Sequence, residues 1–389
     1  MRVALLIRSL DGGGAERQAV NLAVGLAAAG HAPIVVALHD GDAYRRELDA
    51  ARVPVVVVDG GSTMARAVLP LRVAHALRAT HPDVVCAYLA GQNLLAAAVK
   101  PFLHGAPVVW GVRATNVDLA RERPLTRGVN RLEARLSRYA DLVVANAEQA
   151  RADAVERGMD RARMVVIANG IDVDRFVPDP ARRAAARASL HLAPDDEVVG
   201  RVGRLHPMKD IESAIRAVAL LAPMRPRLRL VVVGGGDEAY RRELDALAGS
   251  CGARGALRWS DPRHDLEVVY QAFDVLLSSS SYGEAFPNVV GEAMACGVPC
   301  VVTDVGDSAA IVGDCGVVVP RRDTVAMASA LRHLLDEDAE ARARRVARCR
   351  ARIVDHFDQG QLVDRTVECL ATLVNATRER KRSCAGSQG

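Results

Sequence analysis

The chain has 389 residues, half of them hydrophobic and only 3 % aromatic, with a formal net charge of +4. That length predicts two domains with apolar material for two cores. So few aromatics exclude a stacking platform for carbohydrate or single-stranded nucleic acid, and so mild a charge calls for no nucleic acid partner.

In chain order, the first apolar run, residues 3–7, is too short for a secretion signal and meets a glycine loop, not a small-residue cleavage site. Further Val/Leu/Ile runs at 34–38, 55–58, 84–87, 108–110, 142–145 and 164–167 read as strands. After Pro178-Asp179-Pro180 the pattern restarts at 198–202, 228–233, 256–259, 275–277, 301–302 and 317–319. These runs are continuously apolar, as strands covered on both faces are, and they alternate with Ala- and Arg-rich helical stretches. The class is therefore α/β with doubly wound parallel sheets. Two prolines around an aspartate interrupt either regular element, so the domain boundary is placed at 178/179. Residues 336–380 read as helical and 381–389 as a frayed tail. No stretch approaches ~18 uninterrupted apolar residues, so no membrane span is expected. Eight cysteines without a CxxC pair read as reduced thiols, and a cytoplasmic location follows.

Four segments carry chemistry. Ser9-Leu10-Asp11-Gly12-Gly13-Gly14-Ala15-Glu16 follows the first strand and opens a helix. Such a turn can bring backbone N–H groups and a helix N-terminus to a diphosphate, or can simply join strand to helix. Gly203-Arg204-Leu205-His206-Pro207-Met208-Lys209-Asp210 follows the first strand of the second half. There Arg204 and Lys209 suit the oxygens of a departing diphosphate, although two surface cations can also be merely solvated. Gly234-x-Gly236-x-x-Ala239 imitates a dinucleotide fingerprint, but a lone match is weak, and Gly234 is read as a close-approach residue near a nucleotide. The fourth segment runs Ser278-Ser279-Ser280-Ser281-Tyr282-Gly283-Glu284-Ala285-Phe286-Pro287-Asn288-Val289-Val290-Gly291-Glu292-Ala293-Met294-Ala295-Cys296-Gly297-Val298-Pro299. A helix is expected to begin near Pro287 and to present N–H groups around residues 286–289 to an anion.

Glu284 and Glu292, eight apart and followed by Ala-Met-Ala-Cys-Gly-Val-Pro, resemble the signature of family 4 retaining glycosyltransferases. The resemblance extends to the first glycine loop, Asn169-Gly170-Ile171-Asp172, Gly203-Arg204 with Lys209, and Thr303-Asp304-Val305-Gly306. It implies a GT-B architecture, two Rossmann-like domains facing a central cleft. The acceptor-side domain would be 1–178 and the nucleotide-sugar domain 179–352, with a helix at 353–380 crossing back. It implies a hexosyltransferase using a nucleotide-sugar, favoured as a UDP-sugar, as co-substrate, with no other cofactor and no metal.

By the same resemblance Gly13 and Gly14 contact the donor diphosphate, and Arg204 and Lys209 neutralise it. Glu284 holds hydroxyls of the sugar, Glu292 binds the ribose, and Arg263 borders the base. Ala285, Phe286, Pro287, Asn288 and Val289 line the sugar and phosphates. The catalytic set is Glu284, Arg204 and Lys209, with the leaving phosphate taking the acceptor's proton in a front-face attack. Arg113 stands where many relatives carry a histidine; with Asn116 it is placed on the acceptor side. An arginine is no base at neutral pH but can bind hydroxyls or an anionic acceptor.

The acceptor implied is a glycan, lipid-linked in surface polysaccharide assembly. A small natural product, a sugar-nucleotide 2-epimerase and a non-catalytic binding subunit are the competing readings. Arg123, Arg127, Arg131 and Arg135 recur every four residues, within a stretch of six Arg and two Glu. Leu125, Val129, Leu132, Leu136 and Tyr139 mark the other face. A solvated basic stripe on a packed helix is one reading; peripheral contact with anionic lipid on the inner face of the cell membrane is the other.

Overall fold

A computed structural model describes residues 1–11, 13–58, 68–113 and 124–386, the side chains of 124 and 384–386 excepted. Its contacts divide into two units, Met1–Gly170 with Gln359–Gly389, and Ile171–Asp358. The division falls eight residues before the expected 178/179 boundary. Residues 171–178 pack with the second unit: Ile171 N–H donates to the Phe357 carbonyl, and Arg175 grips Glu267 at 2.8 Å.

In the first unit, β1 (Arg2–Ser9), β2 (Ala32–His39), β3 (Val55–Val57), β4 (Val84–Tyr88), β5 (Val108–Val112), β6 (Leu142–Ala145) and β7 (Met164–Val166) form one sheet. Its order is β3-β2-β1-β4-β5-β6-β7, and the pairings are parallel. The helices are α1 (Gly14–Ala28), α2 (Arg45–Ala50), α3 (Leu69–Ala79), α4 (Ala90–Val99), α5 (Pro124–Leu136) and α6 (Glu148–Glu156). In the second unit, β8 (Glu197–Val202), β9 (Leu228–Val233), β10 (Leu257–Ser260), β11 (Val275–Ser278), β12 (Cys300–Thr303) and β13 (Val317–Val319) run in the order β10-β9-β8-β11-β12-β13, again parallel. Its helices are α7 (Arg183–Ser189), α8 (Ile211–Leu221), α9 (Glu238–Ser250), α10 (Leu266–Val269), α11 (Asn288–Ala295), α12 (Ser308–Val312), α13 (Thr324–Leu335) and α14 (Ala339–Phe357).

Each sheet has a point where strand order reverses: β1 lies between β2 and β4, and β8 between β9 and β11. Chains leaving the carboxyl ends of two such strands diverge to opposite faces and open a crevice, where ligands of open α/β sheets bind. The Gly13 loop leaves β1, the Gly203–Lys209 loop leaves β8, and the Glu284 segment leaves β11.

Burial of the apolar strands and of one stripe of each helix holds the units together. In the second unit Val199, Ile211, Ile215, Leu230, Leu277 and Leu331 are essentially inaccessible. Each such side chain contributes about 1.5–3 kcal/mol. Asp274 ties the start of β11 to the outer helices: it accepts from Arg183 at 2.6 Å and from Arg187 and Arg342 at 2.9 Å. The first core is completed by Leu362, Val363, Leu370 and Val374 of α15 (Gln359–Gly386). This helix begins at 359, not 353, and α14 ends at Phe357. It also runs on to Gly386 where a frayed tail was expected, and Lys381 Nζ is held by the His104 carbonyl at 2.8 Å.

Candidate donor site

The second unit's loops build a compact polar constellation. Strand β8 runs into Gly203, and β9 into Gly234, and the two loops stay paired past their strands: Gly203 N–H donates to Val233 O and Leu205 N–H to Gly235 O. Gly234 has φ +147 and lies directly against the Gly203 carbonyl, where a Cβ would collide. The glycines that imitate a dinucleotide fingerprint thus serve close approach of two loops of the protein itself; that is the contact this structure gives Gly234.

After Gly203 the chain makes a short turn over Pro207–Lys209, and Asp210 stops it. Asp210 is left-handed (φ +46); its carboxylate caps α8, accepting from Ser213 Oγ at 2.8 Å. Losing such a cap typically costs about 1 kcal/mol. The turn delivers Lys209 to Glu284, and the two form an ion pair with little solvent access. Ser280 Oγ donates to the same Glu284 oxygen at 2.8 Å. Ser279 Oγ donates to the Lys209 carbonyl at 2.9 Å, so the serine-rich stretch braces both partners.

Behind them lies Arg201, a residue the sequence reading passed over, 2 % exposed inside β8. Its guanidinium donates to the carbonyls of Gly203 at 3.1 Å and Lys209 at 3.4 Å. Burial pulls it down to about 10, against Glu284, Tyr240, Glu212 and Asp210, which pull it up. Burial likewise pushes the Glu284 carboxyl up, but Lys209, then Ser280 and Arg201, outweigh it and leave it below the usual range. The signal for Arg201 was available: a cation in an otherwise apolar central strand needs buried anionic company.

Gly306 (φ +58) backs the Glu284–Ala285 peptide so closely that a Cβ would lie 2.9 Å from the Glu284 carbonyl carbon, and Asp307 N–H donates to Ala285 O at 2.8 Å. The Thr303–Gly306 stretch therefore sets the height of Glu284. Pro287 is not in the helix but caps it in extended geometry, and α11 starts at Asn288 with no side-chain cap. A helix N-terminus so left attracts an anion. Phe286 is not open to a ligand through its ring, which is buried edge-on against Phe357 at 5.4 Å; Ala285 and Pro287 are buried too, while Asn288 and Val289 are half-buried. Glu292, one turn and a half along α11, accepts a 2.8 Å hydrogen bond from the inaccessible Tyr270. Arg204 is exposed and holds no ion pair among the described residues, whereas Arg263 is engaged bidentately by Asp265 at 2.6–2.7 Å. Among the described residues no group of three or more His, Cys, Asp or Glu side chains is disposed to hold a metal ion.

In the first unit, Gly12 lies outside the described residues. Gly13 caps α1, and its N–H already meets Tyr44 Oη, which donates back to the Gly13 carbonyl, both at 3.1 Å. Gly14 opens α1 and is exposed. Arg113 stacks on Tyr88, 4.6 Å from the ring centroid, and donates to Asn169 Oδ1 at 2.9 Å; its buried Nε has no partner. Asn116 and Arg123 lie outside the described residues.

Helix α5 does not separate its basic stripe from the residues marked as its apolar face. It buries Asn130, Glu133 and Ala134, and exposes Leu125 (80 %), Leu132 (47 %) together with Arg131 and Arg135; the buried Ser137 and the exposed Arg138 and Tyr139 (49 %) follow. Glu133 can face inward because Asn93 donates to it at 2.7 Å, and Asn93 also brackets the Gly111 peptide. Arg127 is half-buried.

Comparison with known proteins agrees with this arrangement. Residues 12–175 match the Glycosyltransferase Family 4 model and residues 182–352 the model for glycosyl transferases group 1. A D-inositol 3-phosphate glycosyltransferase of Stackebrandtia nassauensis is 36 % identical over 278 residues, covering 67 % of this chain and 61 % of that protein. The protein of the same name from Mycobacterium tuberculosis strain F11 is 32 % identical over 293 residues, covering 72 % and 59 %. The chain thus spans about three-fifths of the length of these relatives. Anabaena HepE, solved in complex with UDP-glucose, superposes with a TM-score of 0.83 at 24 % identity, covering 96 % of this chain and 100 % of that one. With one glycosyltransferase model on each half and two Rossmann-like sheets, the chain belongs to the family 4 glycosyltransferases of GT-B fold.

Proposed function

We propose that the chain transfers a hexose-type sugar from a UDP-sugar to an acceptor with retention of configuration. The observation that carries this is the Lys209–Glu284–Ser280 constellation beside the uncapped start of α11, at the strand-order reversal of the second sheet. Breaking a glycosyl–phosphate bond leaves positive charge on the sugar and negative charge on the diphosphate. Lys209, Arg204 and the first-turn N–H groups of α11 stabilise the second, and the ionised Glu284 holds sugar hydroxyls. Glu292, oriented by Tyr270, takes the ribose hydroxyls. The departing phosphate accepts the acceptor's proton. That HepE is solved with UDP-glucose supports the choice of base.

The test is thermal stabilisation by UDP-, GDP-, ADP- and TDP-sugars, in wild type and Glu292→Ala. A shift confined to uridine donors and reduced in the variant is expected; a ligand at 100 times its Kd adds about 2.7 kcal/mol. Equal shifts in both proteins would remove Glu292 from the site, and no shift with any nucleotide would remove the site itself.

For the acceptor, a lipid-linked glycan is proposed, in surface polysaccharide assembly at the inner face of the cell membrane. The outward face of α5 supports it, since Leu125, Leu132 and Tyr139 are exposed beside Arg131, Arg135 and Arg138, the composition of an interfacial helix. Each basic residue near an anionic surface contributes about 1 kcal/mol, so reversing three charges should weaken vesicle binding about 100-fold. Sedimentation with phosphatidylglycerol vesicles, comparing wild type with Arg131→Glu/Arg135→Glu/Arg138→Glu, measures this. A wild type that stays in the supernatant refutes the membrane contact. The relatives' names favour a second reading, a small phosphorylated polyol, for which Arg113 offers an anion contact; transfer assays with both acceptor classes separate them.

A further inference from the structure

We propose that a cationic groove at the entering edge of the first sheet is a binding site for a phosphate-bearing ligand, separate from the sugar-transfer site. Parallel strands share their entering edge, and the groove lies there. Arg2 opens β1, residues 81–83 lead into β4, residues 103–107 lead into β5, and α15 crosses over them. The Gly13 loop and Arg113 leave from the opposite edge, the length of an eight-residue strand away, roughly 25 Å.

The cavity holds about 220 Å³, room for several waters or for a diphosphate. Four permanent cations line it, Arg2, Arg78, Arg378 and Lys381, against one carboxylate, Asp83. That carboxylate is already committed: it accepts from Arg2 N–H at 2.7 Å and from Arg378 at 2.8 Å. Lys381 is aimed by its bond to the His104 carbonyl and keeps two further N–H donors. The guanidinium groups of Arg2 and Arg78 have no hydrogen bond or ion pair among the described residues. Cations merely spread over a surface would point apart into water; these converge from β1, α3 and α15 on one concavity, which focuses their field.

The rim is also built at a cost. His81 (φ +46) and His104 (φ +53) both hold left-handed backbone, a conformation uncommon for residues other than glycine. Planar guanidinium forks facing a concavity suit tetrahedral phosphate oxygens. An apolar flank from Leu103 and Val374 accommodates the organic part of a phosphoester. The ligand could be supplied as a soluble phosphoester or as an anionic lipid headgroup, both presenting the same oxygens.

The experiment is calorimetric titration with pyrophosphate at low salt, with UDP present to occupy the donor site. Wild type is compared with Arg2→Glu/Arg78→Glu and, as a milder change, Arg78→Ala. We expect pyrophosphate binding to weaken by about tenfold or more in the double variant, while its UDP-induced thermal shift stays at the wild-type value, which also reports that it folds. Phosphatidylglycerol vesicles identify the source. Loss of vesicle binding in the double variant assigns a headgroup; loss of pyrophosphate binding alone assigns a soluble phosphoester. Wild-type levels of both in the two variants overturn the proposal. If UDP fails to bind, an unfolding melt without ligand at the wild-type midpoint reports that the variants fold, and the comparison between proteins that differ only in this groove still reads out.

Discussion

Lys209→Ala is expected to lower kcat for UDP release about 10²–10³-fold, the usual loss when one preorganised donor to a departing anion is removed. On the proposed function the effect should fall on kcat more than on KM, because the charge that Lys209 would meet grows as the bond breaks. A second consequence follows from its partner. In the wild type, burial favours the protonated Glu284 carboxyl, and Lys209, Ser280 and Arg201 overcome it, so the group stays ionised until the pH falls below the ordinary carboxylate range. Without Lys209, burial regains the upper hand and the carboxyl accepts its proton at higher pH. The acid limb of the pH–rate profile should therefore move toward neutrality in Lys209→Ala and much less in Lys209→Arg, which keeps the charge. An unchanged limb would show that the ionisation of Glu284 does not govern transfer.

Arg201→Met should strongly destabilise the second unit. It removes the buried cation behind the Lys209–Glu284 pair and strips the Gly203 and Lys209 carbonyls of their shared donor. Removing one member of a buried charged network typically costs about 3–5 kcal/mol. At about 2–4 °C per kcal/mol for a unit of this size, the melting temperature should drop by about 10 °C. Arg201→Lys keeps the charge but not the fork, and should recover part of the stability while still misplacing Lys209. Thermal melts and UDP release, measured on the same samples, separate the two effects. A melt within 2 °C of wild type would mean that water replaces the guanidinium without loss.

The strands were readable because both faces of each sheet are covered, so the apolar runs are unbroken and short, and the motif residues sit immediately after them. What could not be read is what depends on partners far away in sequence. Nothing near Glu292 announces Tyr270, and nothing near Gly13 announces Tyr44. Helix α5 shows the limit most clearly. Its period puts Leu125 and Leu132 on one side and Glu133 on another, but periodicity does not say which side is covered. Asn93, 40 residues earlier, meets Glu133 and decides it. The 178/179 boundary, which lies between the two family-model matches, differs from the contact division at 170/171 for a related reason: prolines mark where regular structure stops, whereas the units are divided by which core the neighbouring residues join.

The second unit, residues 171–358, is continuous in the chain; the first is not, because its core is closed by α15. On the ribosome this sets an order of completion. The second unit has all of its residues once position 358 has emerged, but β1 and α1, although made before it, lack Leu362, Val363, Leu370 and Val374 until α15 is out. The unit whose synthesis starts first of the two is thus the second to be finished. Through that interval its partly built sheet carries an apolar face uncovered, so the first unit, not the second, exposes aggregation-prone surface for longer during synthesis.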